Sequence, residues 1–255
     1  MSYRAAISRR SFTIVSAGGL AAAFLAKARA ETGSAPVVVE LFTSQGCGSC
    51  PLADSFLGEL SRQPGIIALS LNVDYWDYLG WRDTLGNPDC TQRQRAYANR
   101  LGIGTLFTPQ MVINGSKSVT GADRQSVLES IARQAFHNRG NSIPTAVAVH
   151  GSELSIEVAG SSDESLRQFS IVWAMMIDRE VEVHISRGEN AGRTVTYSNV
   201  VRRIIPVGTW HGEVRHIRLP ISDLMHDGVT GCAALVQVEG SGPIIGAASF
   251  ASSTR

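Results

Sequence analysis

Charge of one sign is the first thing missing. The 255 residues carry 23 Lys and Arg against 22 Asp and Glu, a formal net charge of +1. The balance hides a skew, because positions 1–30 hold Arg4, Arg9, Arg10, Lys27 and Arg29 and no acid. The rest of the chain is therefore net acidic, and the part expected to fold has no basic footprint for nucleic acid. Long hydrophobic runs are also missing. The longest, from Thr13 to Leu25, falls short of the roughly 20 apolar residues that a membrane-spanning helix needs, and no later stretch approaches that length. No Gly-x-Ser-x-Gly elbow, dinucleotide fingerprint or phosphate loop appears, so hydrolase and nucleotide chemistry are unsupported and no cofactor is implied. Repeats and low-complexity tracts are absent, and a 44% hydrophobic content with 25 Gly and 9 Pro is ordinary for a folded globular chain. Cysteine is scarce, with only Cys47, Cys50, Cys90 and Cys232.

What is present begins with an address. Ser8-Arg9-Arg10-Ser11-Phe12 precedes the apolar run, which ends in the small-x-small site Ala28-Arg29-Ala30. A twin arginine in that place reads as a twin-arginine export signal, and Lys27 and Arg29 just after the run fit that route. Residues 1–30 are expected to be removed after Ala30, leaving a periplasmic or secreted protein without a membrane span. The competing reading is an uncleaved anchor helix. No cofactor motif explains why folding should precede export. In an oxidising compartment each cysteine is a disulfide candidate before it is anything else.

The remaining chain changes character once. Over 31–140, buried-strand runs at Val37–Phe42 and Ile66–Val73 alternate with helical spacing at Pro51–Leu60 and Asp89–Leu101. Pro51 suits a first helical turn. Gln110–Gly121 reads as a hairpin turning at Asn114-Gly115, and Asp123 caps a helix running to about His137. The order is β-α-β-α-β-β-α. Residues 138–144 read as a linker by composition. From 145 to 255 short β-rich segments (145–149, 154–158, 169–177, 181–185, 194–204, 214–219 and 233–238) suggest a smaller β-sandwich-like domain.

The chemistry concentrates at Ser44-Gln45-Gly46-Cys47-Gly48-Ser49-Cys50-Pro51. Cys47 falls just before a helix, where free N–H groups and the positive dipole end favour a thiolate. Cys50, one turn on, can resolve a mixed disulfide. Gly48 and Ser49 between them are small enough for a partner chain to approach. A Cys-x-x-Cys between a buried strand and a helix, followed by this element order, predicts a thioredoxin-like α/β fold. Thr108-Pro109 stands before the third strand, where such folds carry a cis-proline loop that exposes backbone to a substrate strand. An ordinary trans proline starting a strand is the alternative. Glu40 is read in two ways. Under the helix, burial would raise its pKa and let it take a proton from Cys50; otherwise it is a surface carboxylate. The loop Asp74–Asp83 is dense in aromatics and acids, with Asp74 and Trp76 as candidate substrate contacts or, alternatively, parts of a packed lid.

Val38-Glu40-Leu41-Phe42-Thr43-Ser44-Gln45-Gly46-Cys47 with Cys50-Pro51 and Asp54 resembles a secreted bacterial family known as domain of unknown function 1223. Val73–Asp83, Thr108–Gly115, Arg187-Gly188-Glu189-Asn190-Ala191-Gly192-Arg193 and Asn199–Arg202 are similar to it too. The resemblance implies a thioredoxin-like N-terminal domain with an appended β domain, and no established activity. Asn72 stands where that pattern has a His, which speaks against a metal role for the loop, and Cys90 stands where it has an apolar residue.

Other candidates are weaker. Cys90 and Cys232 either bridge the two domains or pack as small buried hydrophobes. His211 and His216 lack a carboxylate or cysteine cluster and read as surface residues, so no metal site is expected. The Arg187–Arg193 loop lacks the context of a phosphate cradle and reads as a turn open to an interaction role. The expected function is thiol–disulfide exchange with protein or small-molecule thiols and disulfides. Cys47 would attack, Cys50 resolve, and Thr108 and Pro109 position the substrate backbone. A non-catalytic binding module stapled by Cys47–Cys50, and a Cu(I) carrier using two soft thiolates, are the rivals. Oligomeric state is not legible.

Overall fold

Strand β1 (Val37–Thr43) is apolar at most positions, and every one of its residues is buried. A strand flanked on both faces by other elements reads this way. The computed structural model describes residues 35–224 and 229–251. The expected export segment 1–30 lies outside the described residues. Among the described residues no helix is long and apolar enough to cross a membrane.

The chain runs on through α1 (Cys50–Leu60), β2 (Ile66–Asn72), α2 (Pro88–Leu101), β3 (Gln110–Ile113), β4 (Lys117–Thr120) and α3 (Arg124–His137). It is completed by β5 (Thr145–His150), β6 (Glu153–Val158), β7 (Ser170–His184), β8 (Thr194–Trp210), β9 (Arg215–Pro220), β10 (Gly231–Val238) and β11 (Ile244–Ala251). β1 pairs parallel with β2, from Val37 with Ile66 to Thr43 with Asn72, and antiparallel with β3. Asn114 and Gly115 adopt positive φ at the β3–β4 turn, as an Asn-Gly hairpin requires. The Asn87 side chain accepts the Asp89 N–H at the start of α2, and Asp123 accepts the Ser126 N–H at the start of α3.

The result is a mixed α/β fold with a large sheet and few helices. The sheet has eight strands in the order β11-β10-β7-β8-β2-β1-β3-β4, and a second sheet has the order β5-β6-β9. Strands from both sides of the 138–144 segment thus share one sheet, joined where Ser70 of β2 meets Val200 of β8. The change in composition marks the passage from α/β to all-β, and the sheet itself runs on. Alternation along β1 divides the core. Val37, Val39 and Leu41 meet α1 and α3 on one face, with Ala53, Phe56, Leu57, Val127 and Ile131. Val38 and Phe42 meet Cys90 and Tyr97 of α2 on the other. A third cluster joins the small sheet to the large one, with Leu154, Ile156 and Val158 against Val172, Met176, Trp210 and Val236.

Two strand expectations need correction. The segments 169–177 and 181–185 form one strand, β7, which absorbs register shifts at Val172/Trp173 and Met176/Ile177. The other correction is β11, absent from the sequence reading because Gly246-Ala247-Ala248-Ser249 has no β-branched residue. The strand needs that smallness, since a Cβ at Gly246 would lie 2.6 Å from Thr145 Oγ1 and 2.7 Å from the Ile143 carbonyl oxygen.

Candidate active site around the Cys47–Cys50 disulfide

β1 ends at Thr43 and α1 begins at Cys50, so the Cys loop crosses the end of the sheet. Cys47 and Cys50 form a disulfide with a Cα–Cα distance of 5.4 Å, and Pro51 occupies the first helical turn. The Ser44 hydroxyl accepts the Gly46 N–H, and the Ser49 hydroxyl lies 3.5 Å from Cys47 Sγ. Gly48 and Ser49 are exposed, whereas Cys47 is only 2% exposed and Cys50 not at all.

Three other segments close around this loop. Trp76 packs on it so tightly that a Cβ at Gly46 would lie 3.1 Å from Trp76 Cβ, and its indole N–H donates to Thr108 Oγ1 at 2.9 Å. The Thr108–Pro109 peptide bond is cis. Pro109 and Ala53 of α1 both border Gly121, where an added Cβ would meet them at 3.2 and 3.1 Å. The Gln45 side chain accepts the Trp81 indole N–H at 2.8 Å, and its backbone N–H donates to Asp83. From the far end of the β7–β8 hairpin, Asn190 donates to the carbonyl oxygens of Gln45 and Cys47 at 2.9 and 2.8 Å. Its neighbour Glu189 accepts the Gly48 N–H at 3.0 Å.

Beneath α1 lies a buried acidic floor. Asp54 sits one turn after Cys50 on the same face of the helix, and neither of its carboxylate oxygens has a hydrogen-bond partner. Burial pushes its pKa up to about 8, with the Thr43 hydroxyl pulling the other way and the Asp83 carboxylate adding to the rise. Asp83 is raised as well, chiefly by burial, although the N–H groups of Gln45 and Leu85 and the Asn72 amide donate to it. Burial likewise raises the Tyr197 phenol, with Asp54 and Asp83 adding to it. A cavity of about 520 Å³ between α1 and β8 is lined by Asp54, Ser55, Arg62, Arg193 and Thr196.

One of the expected site residues is elsewhere. Glu40 is fully buried, but on the opposite face of the sheet, held by Arg93 and by the Tyr97 hydroxyl. Alternation along β1 dictates this, because residues 38, 40 and 42 point together towards α2. The buried acid on the α1 face is instead Asp54, four residues after Cys50. Asp74 is engaged by the Thr91 hydroxyl of α2 at 2.6 Å. Asn72 donates to Asp83, a structural use of the position. Cys90 and Cys232 are free thiols buried in separate clusters, so the bridge between them is not formed. Burial pushes the Cys232 thiol up to about 12 and the Cys90 thiol higher still. Among the described residues no three His, Cys, Asp or Glu side chains converge to hold a metal ion. Asp54, Glu189 and Asn190 were visible in the sequence only as parts of longer motifs, because their partners are distant in the chain.

A family model described as a protein of unknown function (DUF1223) matches residues 38–237. The crystal structure of an Agrobacterium tumefaciens protein is 31% identical, covers 87% of this chain and 97% of its own, and superposes with a TM-score of 0.76. The structure of HBP35 of Porphyromonas gingivalis shares the fold at 12% identity, with a TM-score of 0.61 over 87% of this chain and 76% of its own. No curated protein matches.

Proposed function

The chain belongs to the DUF1223 family of proteins of unknown function, so its activity has to be argued from the site, and we propose that it is an exported thiol–disulfide oxidoreductase with a thioredoxin-like core. The observation that carries this reading is a disulfide at the head of α1 with an unpartnered, buried Asp54 one turn behind it. The parallel β1–β2 pair, the antiparallel β3–β4 pair and the flanking helices support the core assignment. The twin arginine before an apolar run supports export to an oxidising compartment.

In the reducing direction, the Cys47 thiolate attacks one sulfur of a substrate disulfide. A Cys47–substrate bond forms as the substrate S–S bond breaks, and the first substrate thiolate leaves. In the ionised minority of Asp54, a fraction that grows towards pH 8, the carboxylate takes the Cys50 proton as Cys50 attacks Cys47 Sγ and expels the second substrate thiolate. The protein ends oxidised, with Asp54 protonated, which is the form its raised pKa of about 8 favours at neutral pH. An external dithiol reverses these steps to restore the reduced pair. Thr108, Pro109 and Trp76 border the approach, and Gly48 and Ser49 form its open edge.

Cys47→Ser removes the attacking sulfur. Turnover of a chromogenic aromatic disulfide, with a dithiol as reductant, is expected to fall to the uncatalysed rate. Unchanged turnover in that variant contradicts the mechanism. A second reading, a permanent staple in a binding module, is favoured by the burial of Cys47 to 2% exposure.

A further inference from the structure

The element that holds the backbone around the buried Cys47 comes from far along the chain. Strands β7 and β8 pair from Ser170 with Trp210 out to His184 with Thr194, and the connecting loop Ile185–Arg193 reaches the Cys loop. The loop is braced from within. Ile185 N–H donates to the Arg193 carbonyl and Gly192 N–H to the Ile185 carbonyl, while the Arg193 guanidinium donates to Asn190 Oδ1. Gly188 and Gly192 turn it through positive φ, and Gly188 lies against Trp81, where an added Cβ would come within 3.4 Å of Trp81 Cβ. Its Asn190 is 1% exposed and spends both amide hydrogens on the carbonyls of Gln45 and Cys47. Glu189 brings a carboxylate onto the Gly48 N–H, so close that a Cβ on Gly48 would lie 2.5 Å from Glu189 Oε2.

We propose that Ile185–Arg193 is a strap closed over the oxidised Cys47–Cys50 pair, with Asn190 as its anchor and Glu189 as the residue that sets how readily Cys47 becomes a thiolate. The inference rests on the oxidoreductase reading and adds a positioning residue to it. A negative charge beside a sulfur disfavours its ionised form. Here that charge also occupies an amide at the approach to α1, where a thiolate would otherwise be stabilised. Destabilising the thiolate favours the disulfide, so the strap keeps the pair oxidised. It also pins the backbone on both sides of Cys47, through the Gln45 and Cys47 carbonyls and the Gly48 N–H, and Asn190 has to let go of the Cys47 carbonyl before the buried sulfur can turn towards an attacking thiolate.

The test compares the full protein with Glu189→Gln and Asn190→Ala. Glutamine keeps an acceptor for the Gly48 N–H and removes only the charge. In Glu189→Gln the Cys47 thiol of the chemically reduced protein is expected to titrate at lower pH. The equilibrium constant against glutathione, read where Cys47 is ionised, is expected to move about threefold towards the dithiol. Glu189→Asp is expected to restore both values to near those of the parent. Asn190→Ala is expected to speed reduction of the disulfide by a small thiol severalfold. An unchanged titration in Glu189→Gln, or an unchanged reduction rate in Asn190→Ala, overturns the proposal. The thiol titration needs no catalysis, so a protein inert towards biological thiols would sink the oxidoreductase reading while the titration still decides the role of Glu189.

Discussion

Two carboxyl groups are buried on opposite sides of the same sheet, and they are treated in opposite ways. Glu40, fully buried on the α2 face, receives two contacts from the Arg93 guanidinium, at 2.5 and 3.2 Å, and the Tyr97 hydroxyl. Tyr97 is itself held by Arg93 and by Gln237 of β10, so the cluster ties β1, α2 and β10 together. Asp54, 2% exposed on the α1 face, has no hydrogen-bond partner and another acid close enough to raise its pKa. A buried charge that is fully paired is held in place by its partners. A buried acid left unpaired stays neutral and stands ready to exchange a proton. The face carrying the orphan acid is the face carrying the disulfide.

The strongest way to break the contrast is to orphan the paired acid. Arg93→Ala takes away the guanidinium and leaves the buried Glu40 with the Tyr97 hydroxyl alone, and denaturant unfolding is expected to show a loss of about 3–5 kcal/mol. Asp54→Asn does the reverse. It removes the ionisation penalty and is expected to stabilise the oxidised protein by about 3 kcal/mol near pH 8, with part of the gain offset by amide N–H groups left unpaired. The same variant is expected to slow exchange about 100-fold, the scale of a lost proton carrier. A stabilised Asp54→Asn variant with full activity would remove Asp54 from the mechanism.

The pH dependence sharpens the contrast. The folded-state pKa of Asp54, about 8, lies above its ordinary value of 3.8, so between those values the folded protein holds a proton that the unfolded chain has lost. Stability from this group is intact below the unfolded value, falls as pH rises at roughly 1.4 kcal/mol per unit, and levels off above about pH 8. Thermal unfolding across that window is expected to show the slope in the parent and a flatter profile in Asp54→Asn. The smallest effect belongs to a third acid, Glu59, paired with Arg124 at the surface with 44% and 53% of the side chains exposed. Arg124→Ala is expected to leave Tm unchanged within error, because solvent and salt screen such pairs.

These cases show how far local pattern reaches. The strand at Val37–Phe42, the helix capped at Asp123, and the turn at Asn114-Gly115 follow from periodicity and capping chemistry, and all could be read from the chain. The cysteine pair at the head of α1 was equally legible. Which acid lies beneath it was not, because the face of β1 that Glu40 takes depends on which helices cover the sheet. The closure of the Cys loop by Glu189 and Asn190 was hidden for the same reason, since contacts across about 140 residues leave no local trace. The unforeseen strand β11 owes its place to a close approach that only small residues permit.

The account depends most directly on the reduction potential of the Cys47–Cys50 pair. Equilibration of the protein in glutathione or dithiothreitol buffers, followed by acid trapping and mass counting of free thiols, gives that value. A potential between roughly −120 and −270 mV is the predicted result and places the pair among exchange catalysts. A potential below about −300 mV would contradict the account and mark the disulfide as a structural staple.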